Sequence, residues 1–228
     1  IVVKLGTNLL TGGKDALDLE TIGSIFAQIA KVKSSGVEVL IVSSGAVAAG
    51  RESLSRTPRK NKLQRGTVAY RQALAALGQP QLMMTFEQIF ANHDIEVAQA
   101  LISRGDLQSR SRYLNVRNTL DALLSIGAVP IINENDVVAV EELAGEVYGD
   151  NDRLSAMVAN TVDADLLILL GDMDGLHETD PHIDPNSELI STVDKIDKSI
   201  EKAANAGFSP VAPNTEEASQ STLAHLTH

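Results

Sequence analysis

Four short stretches of this chain combine groups that can do chemistry with glycines that let backbone come close to a ligand. The first, Ile1-Val2-Val3-Lys4-Leu5-Gly6-Thr7-Asn8, puts a lysine at the end of an apolar β-branched run and a glycine two residues later. Ligands of open α/β sheets gather at strand ends, and a glycine there lets amides approach an anion, so Lys4 can meet a phosphate. A lysine flanking an edge strand is also at home in water. In the second, Val42-Ser43-Ser44-Gly45-Ala46, a buried run turns sharply into a helix through small residues. Amides at such a helix start, with the Ser44 hydroxyl as a further donor, form an anion nest. The third joins Asn133-Glu134-Asn135-Asp136 at a strand end with Gly149-Asp150-Asn151-Asp152 at a helix start. Two amide-plus-carboxylate clusters at one sheet edge can hold an ammonium group, orient Mg²⁺ or position lysines. Asp150 and Asn151 can equally serve as helix caps. The fourth, residues 166–170 followed by Gly171-Asp172-Met173-Asp174-Gly175, reads as a fully buried strand running into an acidic turn.

Several chemistries are set aside by spacing. Gly13-Lys14 is followed by Asp15 and has no glycine at position 8, so it is not a P-loop, and Gly12-Gly13 does not complete a dinucleotide fingerprint. A serine nucleophile would need a Gly-x-Ser-x-Gly elbow and a histidine to activate it, and neither accompanies Ser44. The five histidines form no metal set: His177 and His182 fall on an expected loop, and His225 and His228 in the tail, so no metal ligand is assigned.

The elements that must position these groups alternate along the chain. Strands are expected at residues 1–5, 37–42, 96–102, 128–132 and 166–170. Helices are expected at 19–33, where Ile22, Ile25, Phe26, Ile29 and Val32 share a face, at 81–92 and at 118–126. Gly36 and Gly127 stand where helix C-caps want them. That rhythm predicts an α/β fold, a three-layer αβα sandwich with a mostly parallel central sheet. Residues 51–65 are polar and basic, with Arg51, Arg56, Arg59, Lys60, Lys62 and Arg65 around Pro58, and read as a mobile loop. Residues 138–148 alternate like a hairpin delivering the turn at Gly149.

Composition narrows the class. A length of 228 residues suits one substantial domain, and 43% hydrophobic residues with a mean hydropathy of zero are ordinary for a globular chain. No apolar run approaches the roughly 18 residues of a membrane helix, so no membrane partner is expected. There is no cysteine, which removes disulfides and thiolate chemistry and fits a cytoplasmic location. A net charge of −11 argues against nucleic acid as a partner. Because Ile1 already reads as strand, the chain is expected to begin inside a longer reading frame.

In order and spacing, the quoted elements resemble the amino acid kinase family. The residues that carry the resemblance are Val3-Lys4-Leu5-Gly6-Thr7, Ser43-Ser44-Gly45-Ala46, Leu77-Gly78-Gln79, Asn115-Val116-Arg117-Asn118-Thr119, Asn133-Glu134-Asn135-Asp136 and Gly149-Asp150-Asn151-Asp152. Within the family, this wording is similar to that of the glutamate 5-kinases. The resemblance implies phosphorylation of the L-glutamate side-chain carboxylate by ATP with Mg²⁺, proline as a feedback inhibitor, and a homo-oligomer. It implies that Lys4 and Gly6 contact ATP, that Ser44, Asp136 and Asn151 bind glutamate, that Asp152 holds catalytic lysine in place, and that Gly171 and Asp172 form the nucleotide turn. The family pattern continues with a glycine-rich loop and a second lysine, where this chain reads Ser209-Pro210-Val211-Ala212-Pro213-Asn214-Thr215-Glu216-Glu217-Ala218. A kinase domain is therefore expected over residues 1–207, incomplete in its nucleotide half and at the C-terminal end of the sheet, with a disordered or non-native tail at 208–228. The alternative expectation is a non-catalytic glutamate-binding remnant or regulatory subunit of the same fold.

Overall fold

The computed structural model describes residues 1–56, 65–138, 150–179, 181 and 183–206. The hairpin expected at 138–148, apart from Val138, most of the basic loop, His182 and the tail lie outside the described residues. Five strands, β1 (Val2–Leu5), β2 (Leu40–Ser43), β3 (Val97–Ile102), β4 (Val129–Glu134) and β5 (Leu167–Leu170), form one parallel sheet in the order β3-β4-β2-β1-β5. All five expected strands are present, each within three residues of its expected bounds.

Strand alternation divides the interior into two apolar layers on opposite faces of this sheet. Val3, Leu5, Ile41, Val129 and Ile131 face one way. They pack against helices α2 (Leu19–Ser34), α3 (Ala46–Ser55) and α4 (Val68–Ala91) through Ile22, Phe26, Ile29, Ala49, Leu82 and Phe86. Phe26 anchors that layer, stacked on Phe90 and edge-on to Phe86 at centroid distances of 4.3 and 4.8 Å. Val2, Leu40, Val42, Ile102 and Ile132 face the other way, against Leu120 of α6 (Arg110–Ser125) and Leu154 and Val158 of α7 (Asp150–Thr161). This is the expected αβα sandwich. Smaller elements complete it: α1 (Thr7–Thr11), α5 (Arg104–Gln108), the antiparallel pair β6 (Leu176–His177) and β7 (Leu189–Ile190), and α8 (Lys198–Ala206).

Helix ends follow local chemistry. Asp18 caps α2 by accepting from the Glu20 and Thr21 amides, and Thr67 caps α4 by accepting from Tyr70. Gly36 and Gly127 stand just past the ends of α2 and α6 with φ of 90° and 81°, as expected of C-cap glycines. Residues 51–55, expected in a loop, continue α3 instead, with Arg56 folding back onto Glu52 one turn earlier. Helix α4 starts 13 residues before its expected start and passes through Pro80. β5 is not fully buried: Leu166 and Leu169 are about half exposed because β5 is the outermost strand among the described residues.

The most demanding packing is between α3 and α4. A Cβ on Gly78 would lie 1.9 Å from the Ala46 carbonyl oxygen, and one on Gly50 1.9 Å from that of Leu74. The two helices touch backbone to backbone, which fixes α3, and the Ser44-Gly45 turn ahead of it, against α4. Gly78→Ala is expected to destabilise the fold by about 1–3 kcal/mol through overpacking. Gly23→Ala in α2, where an added Cβ meets nothing within 4 Å, is expected to be neutral or stabilising by up to about 1 kcal/mol. Urea unfolding with an unchanged m-value checks both.

Candidate active site

The strand-end groups singled out in the sequence, Lys4, Gly6, Ser44, Asn133 to Asp136, Gly171 and Asp172, lie at the carboxyl edge of the sheet. Crossing it from β4 to β5, the strand ends carry Asn133 to Asp136, then Ser43 and Ser44, then Lys4 to Gly6, then Gly171 and Asp172. With strands about 4.8 Å apart, this row spans about 14 Å. Four neighbouring strand ends thus form a continuous floor for an elongated ligand.

Lys4 shares the parity of Val2, so it points to the α7 face of the sheet, where Asp152 of the first turn of α7 meets it. Nζ lies 2.5 Å from Asp152 Oδ1, with the two side chains 13% and 31% exposed. The geometry is that of a charge contact rather than an aligned hydrogen bond. β1 is an interior strand between β2 and β5, not an edge strand, so Lys4 is not a solvated flanking lysine. Gly6 has φ −72° and ψ 154°, open to any residue; what it supplies is space. A Cβ there would press on the Leu170 carbonyl at 3.3 Å and on Lys4 Nζ at 3.4 Å. The Gly6 amide donates to Leu170, and Asn8 Nδ2 donates to Asp172 Oδ2 at 2.7 Å, which staples the ends of β1 and β5 together.

On the other side of Lys4, Asn151 does not cap its own helix with its Nδ2. That amide donates to the Ser43 carbonyl at 2.8 Å and to Ser44 Oγ at 2.7 Å, with Asn133 Oδ1 at 3.3 Å. The Ser44 hydroxyl, acting as acceptor toward Asn151, keeps its own proton to donate. The Ser44 amide is spent on the Leu5 carbonyl, so the nest at α3 consists of the Gly45 and Ala46 amides at the helix's open end. Gly45 itself has φ 98° and abuts Leu10, a conformation and a space that call for glycine. Asp136 sits half-buried in the turn that follows β4. The strand ends therefore bring Lys4, Gly6, Ser44, Asn151, Asp152, Gly171 and Asp172 together, with Asp136 one turn beyond Asn133.

Three residues that build this edge had no individual role in the sequence reading, Asn133 entering it only as part of its cluster. Asn8 holds Asp172, Asn133 bridges β4 to α7, and Gln79 of α4 accepts from Asn133 Nδ2 at 2.8 Å. Gln79 stood in the Leu77-Gly78-Gln79 stretch, but α4 also carries Arg71, Gln72, Gln81, Glu87 and Gln88, so nothing in the spacing singled it out. In contrast, Arg117 of the Asn115 to Thr119 stretch lies on α6 and pairs with Asp163 at 2.6 Å, away from the strand ends. Among the described residues no group of three potential metal-ligating side chains occurs, and no helix is long and apolar enough to cross a membrane.

The amino acid kinase family model matches residues 1–224. The chain belongs to the amino acid kinase family. Curated relatives in this family include glutamate 5-kinases of Dehalococcoides mccartyi, 49% identical over 206 residues, of Pelobacter propionicus, 45% over 211, and of Shewanella oneidensis, 47% over 209. These matches cover 90–92% of this chain and 53–54% of the relatives, so the chain spans about half the length of the curated relatives it matches. A crystal structure of aspartate kinase from Synechocystis superposes with a TM-score of 0.51 at 15% identity, over 84% of this chain and 32% of that one, a likeness of fold.

The acidic turn of this amino acid kinase chain continues into β6, where His177 is not in a loop but half-buried. Its Nδ1 meets the Ser187 carbonyl at 3.1 Å and its Nε2 meets Asp174 Oδ1 at 2.8 Å. Both partners only accept, so the ring is best served with a proton on each nitrogen. The Asp174 bond foremost, then the Ser187 carbonyl, raises the His177 pKa above its ordinary value. This contribution to stability is therefore full below the unfolded pKa and fades as pH rises through the folded one. An NMR titration is expected to place His177 above 6.5, and Asp174→Asn to move it down.

Proposed function

We propose that this chain binds L-glutamate and ATP at the sheet edge and transfers the γ-phosphoryl group to the glutamate side-chain carboxylate, giving L-glutamyl 5-phosphate and ADP. The reaction would be a first step toward proline, with proline a feedback inhibitor. The single observation that carries the reading is the row of side chains in which Lys4, held by Asp152, stands beside the Asn151–Ser44 pair. The sequence identity to glutamate 5-kinases supports the choice of acceptor.

The chemistry sets the requirements. A carboxylate oxygen attacks Pγ, an O–P bond forms, the bond from Pγ to the bridging oxygen breaks, and that oxygen leaves with ADP. Two anions must meet, with a repulsion of about 4 kcal/mol per charge pair at 4 Å and an effective dielectric near 20. Positioning and fixed cations therefore do the catalysis, and no general acid is needed. Lys4 is the fixed cation, with N–H donors to offer to the phosphates while Asp152 keeps it from collapsing elsewhere. The Gly45 and Ala46 amides supply further positive ends, Gly6 leaves room for the phosphate beside Nζ, and Gly171 and Asp172 border the nucleotide. Ser44, Asn151 and Asp136 hold the acceptor, Asp136 being the carboxylate suited to its ammonium group. Mg²⁺ binds phosphate oxygens with one or two carboxylates and water, and so fits an edge without a dedicated cage; when bound it neutralises charge on the β- and γ-phosphates. The sheet edge also suits the second reading, a chain that binds glutamate without turnover. The wording of residues 209–218 favours that reading.

ADP release with Mg²⁺-ATP, together with hydroxylamine trapping of the acyl phosphate, separates the two readings. Glutamate-dependent turnover is expected, with Lys4→Met lowering kcat by about 10³ or more, the scale at which a transition-state cation matters. Asn151→Ala is expected to raise the KM for glutamate about tenfold. Saturable glutamate binding without ADP release supports the second reading, and turnover indifferent to Lys4 overturns the first.

A further inference from the structure

Gln79 is a buried polar residue to which neither the packing nor the proposed chemistry gives a role. It is 8% exposed on α4, in the apolar layer opposite the one Lys4 faces. At the carboxyl edge the sheet no longer separates the two layers, and Asn133, at the end of β4 and 3% exposed, bonds to both. It donates from Nδ2 to Gln79 Oε1 on one side, and its Oδ1 faces Asn151 Nδ2 of α7 on the other.

The orientation of every carboxamide in this relay is dictated by backbone groups that have one role each. The Glu134 amide can only donate, and it donates to Asn133 Oδ1 at 2.8 Å. Asn133 Nδ2 must therefore face Gln79, and Gln79 must offer Oε1. The Ser43 carbonyl can only accept, so Asn151 presents Nδ2 to it and turns Oδ1 the other way. Two buried atoms are left with no partner among the described residues: Gln79 Nε2, a donor, and Asn151 Oδ1, an acceptor. Leaving buried polar groups unsatisfied is costly, and a site that waits for a ligand is where such atoms are tolerated.

We propose that Gln79 is a positioning residue. By fixing Asn133, whose Oδ1 accepts from Asn151 Nδ2, it reinforces the orientation that the Ser43 carbonyl sets, with Nδ2 toward Ser43 and Ser44 and Oδ1 left for an N–H donor of the acceptor substrate. The orientation of Asn151 stands on the geometry alone, and the benefit to acceptor binding rests on the function proposed above. Because Gln79 lies in the layer opposite the one Lys4 faces, its effect is expected on the acceptor and not on ATP.

The test uses the chain as it stands, with two readouts. In Gln79→Met, of similar size but without the amide, the Asn151 side-chain amide resonances, assigned by Asn151→Asp, are expected to shift and narrow their separation. The dissociation constant for L-glutamate is expected to rise about tenfold, with that for an ATP analogue unchanged within about twofold. Unchanged Asn151 resonances, or glutamate and nucleotide affinity falling in parallel, overturn the proposal. Gln79→Glu keeps an oxygen facing Asn133 and is expected to leave the Asn151 resonances in place; their collapse there overturns the proposal even where Gln79→Met does not fold. Wild-type protein that binds no glutamate overturns the acceptor reading instead, while the resonance comparison still decides whether Gln79 holds Asn151.

Discussion

A lysine on an interior strand cannot be left alone. Lys4 sits between β2 and β5 with little of its side chain in water, and taking an ammonium out of water costs several kcal/mol unless a counter-charge stands beside it. Asp152 is that counter-charge, and it can serve only if α7 begins where it does, with its first turn over the end of β1. Much of the layout follows from this pairing. Val2 and Lys4 must face α7, which sends Val3 and Leu5 to the layer of α2, α3 and α4. The same first turn then brings Asn151 over the end of β2. The pair is a poor source of stability, since two apolar residues could replace it at no loss. Its value is that an ammonium is held at a fixed place where water screens it little.

The glycines at this edge do different jobs, and the structure separates them. Gly45 is required by its left-handed backbone, Gly6 by the room it leaves beside Lys4, and Gly78 by the backbone-to-backbone contact of two helices. The last is the least expected. Without Gly78, α3 could not lie against α4, and the Ser44-Gly45 turn would lose its footing even though Gly78 touches no candidate ligand group.

Much of this was legible in the sequence because it is local or periodic. Short β-branched runs fixed the five strands, and one-sided apolar spacing fixed α2. The spacing of Lys4, Ser44, Asn151 and Asp172 relative to strand ends placed them at one edge. What could not be read depends on partners distant in sequence. The helix expected at 81–92 begins just past Pro80, yet α4 runs through that proline because its packing on α3 outweighs one lost backbone bond. Arg51 to Ser55 looked like loop from its charge, but Ala46, Ala48 and Ala49 bury the opposite face and carry the helix on. Residues 166–170 read as fully buried, and the alternation of apolar residues gives no hint of which strand lies outermost. Gln79 and Asn133 are 54 positions apart, and nothing short of the fold joins them.

The central claim is that the Lys4 ammonium, held by Asp152, is the cation that a nucleotide's phosphates meet. The most direct measurement is the ¹⁵N resonance of the Lys4 side chain in lysine-labelled protein, assigned by Lys4→Arg, followed as a Mg²⁺-bound non-hydrolysable ATP analogue is added. The account predicts a saturable shift of that resonance, with those of lysines remote from the sheet edge, such as Lys31 and Lys33, unmoved. Nucleotide binding that leaves the Lys4 resonance where it was would contradict it.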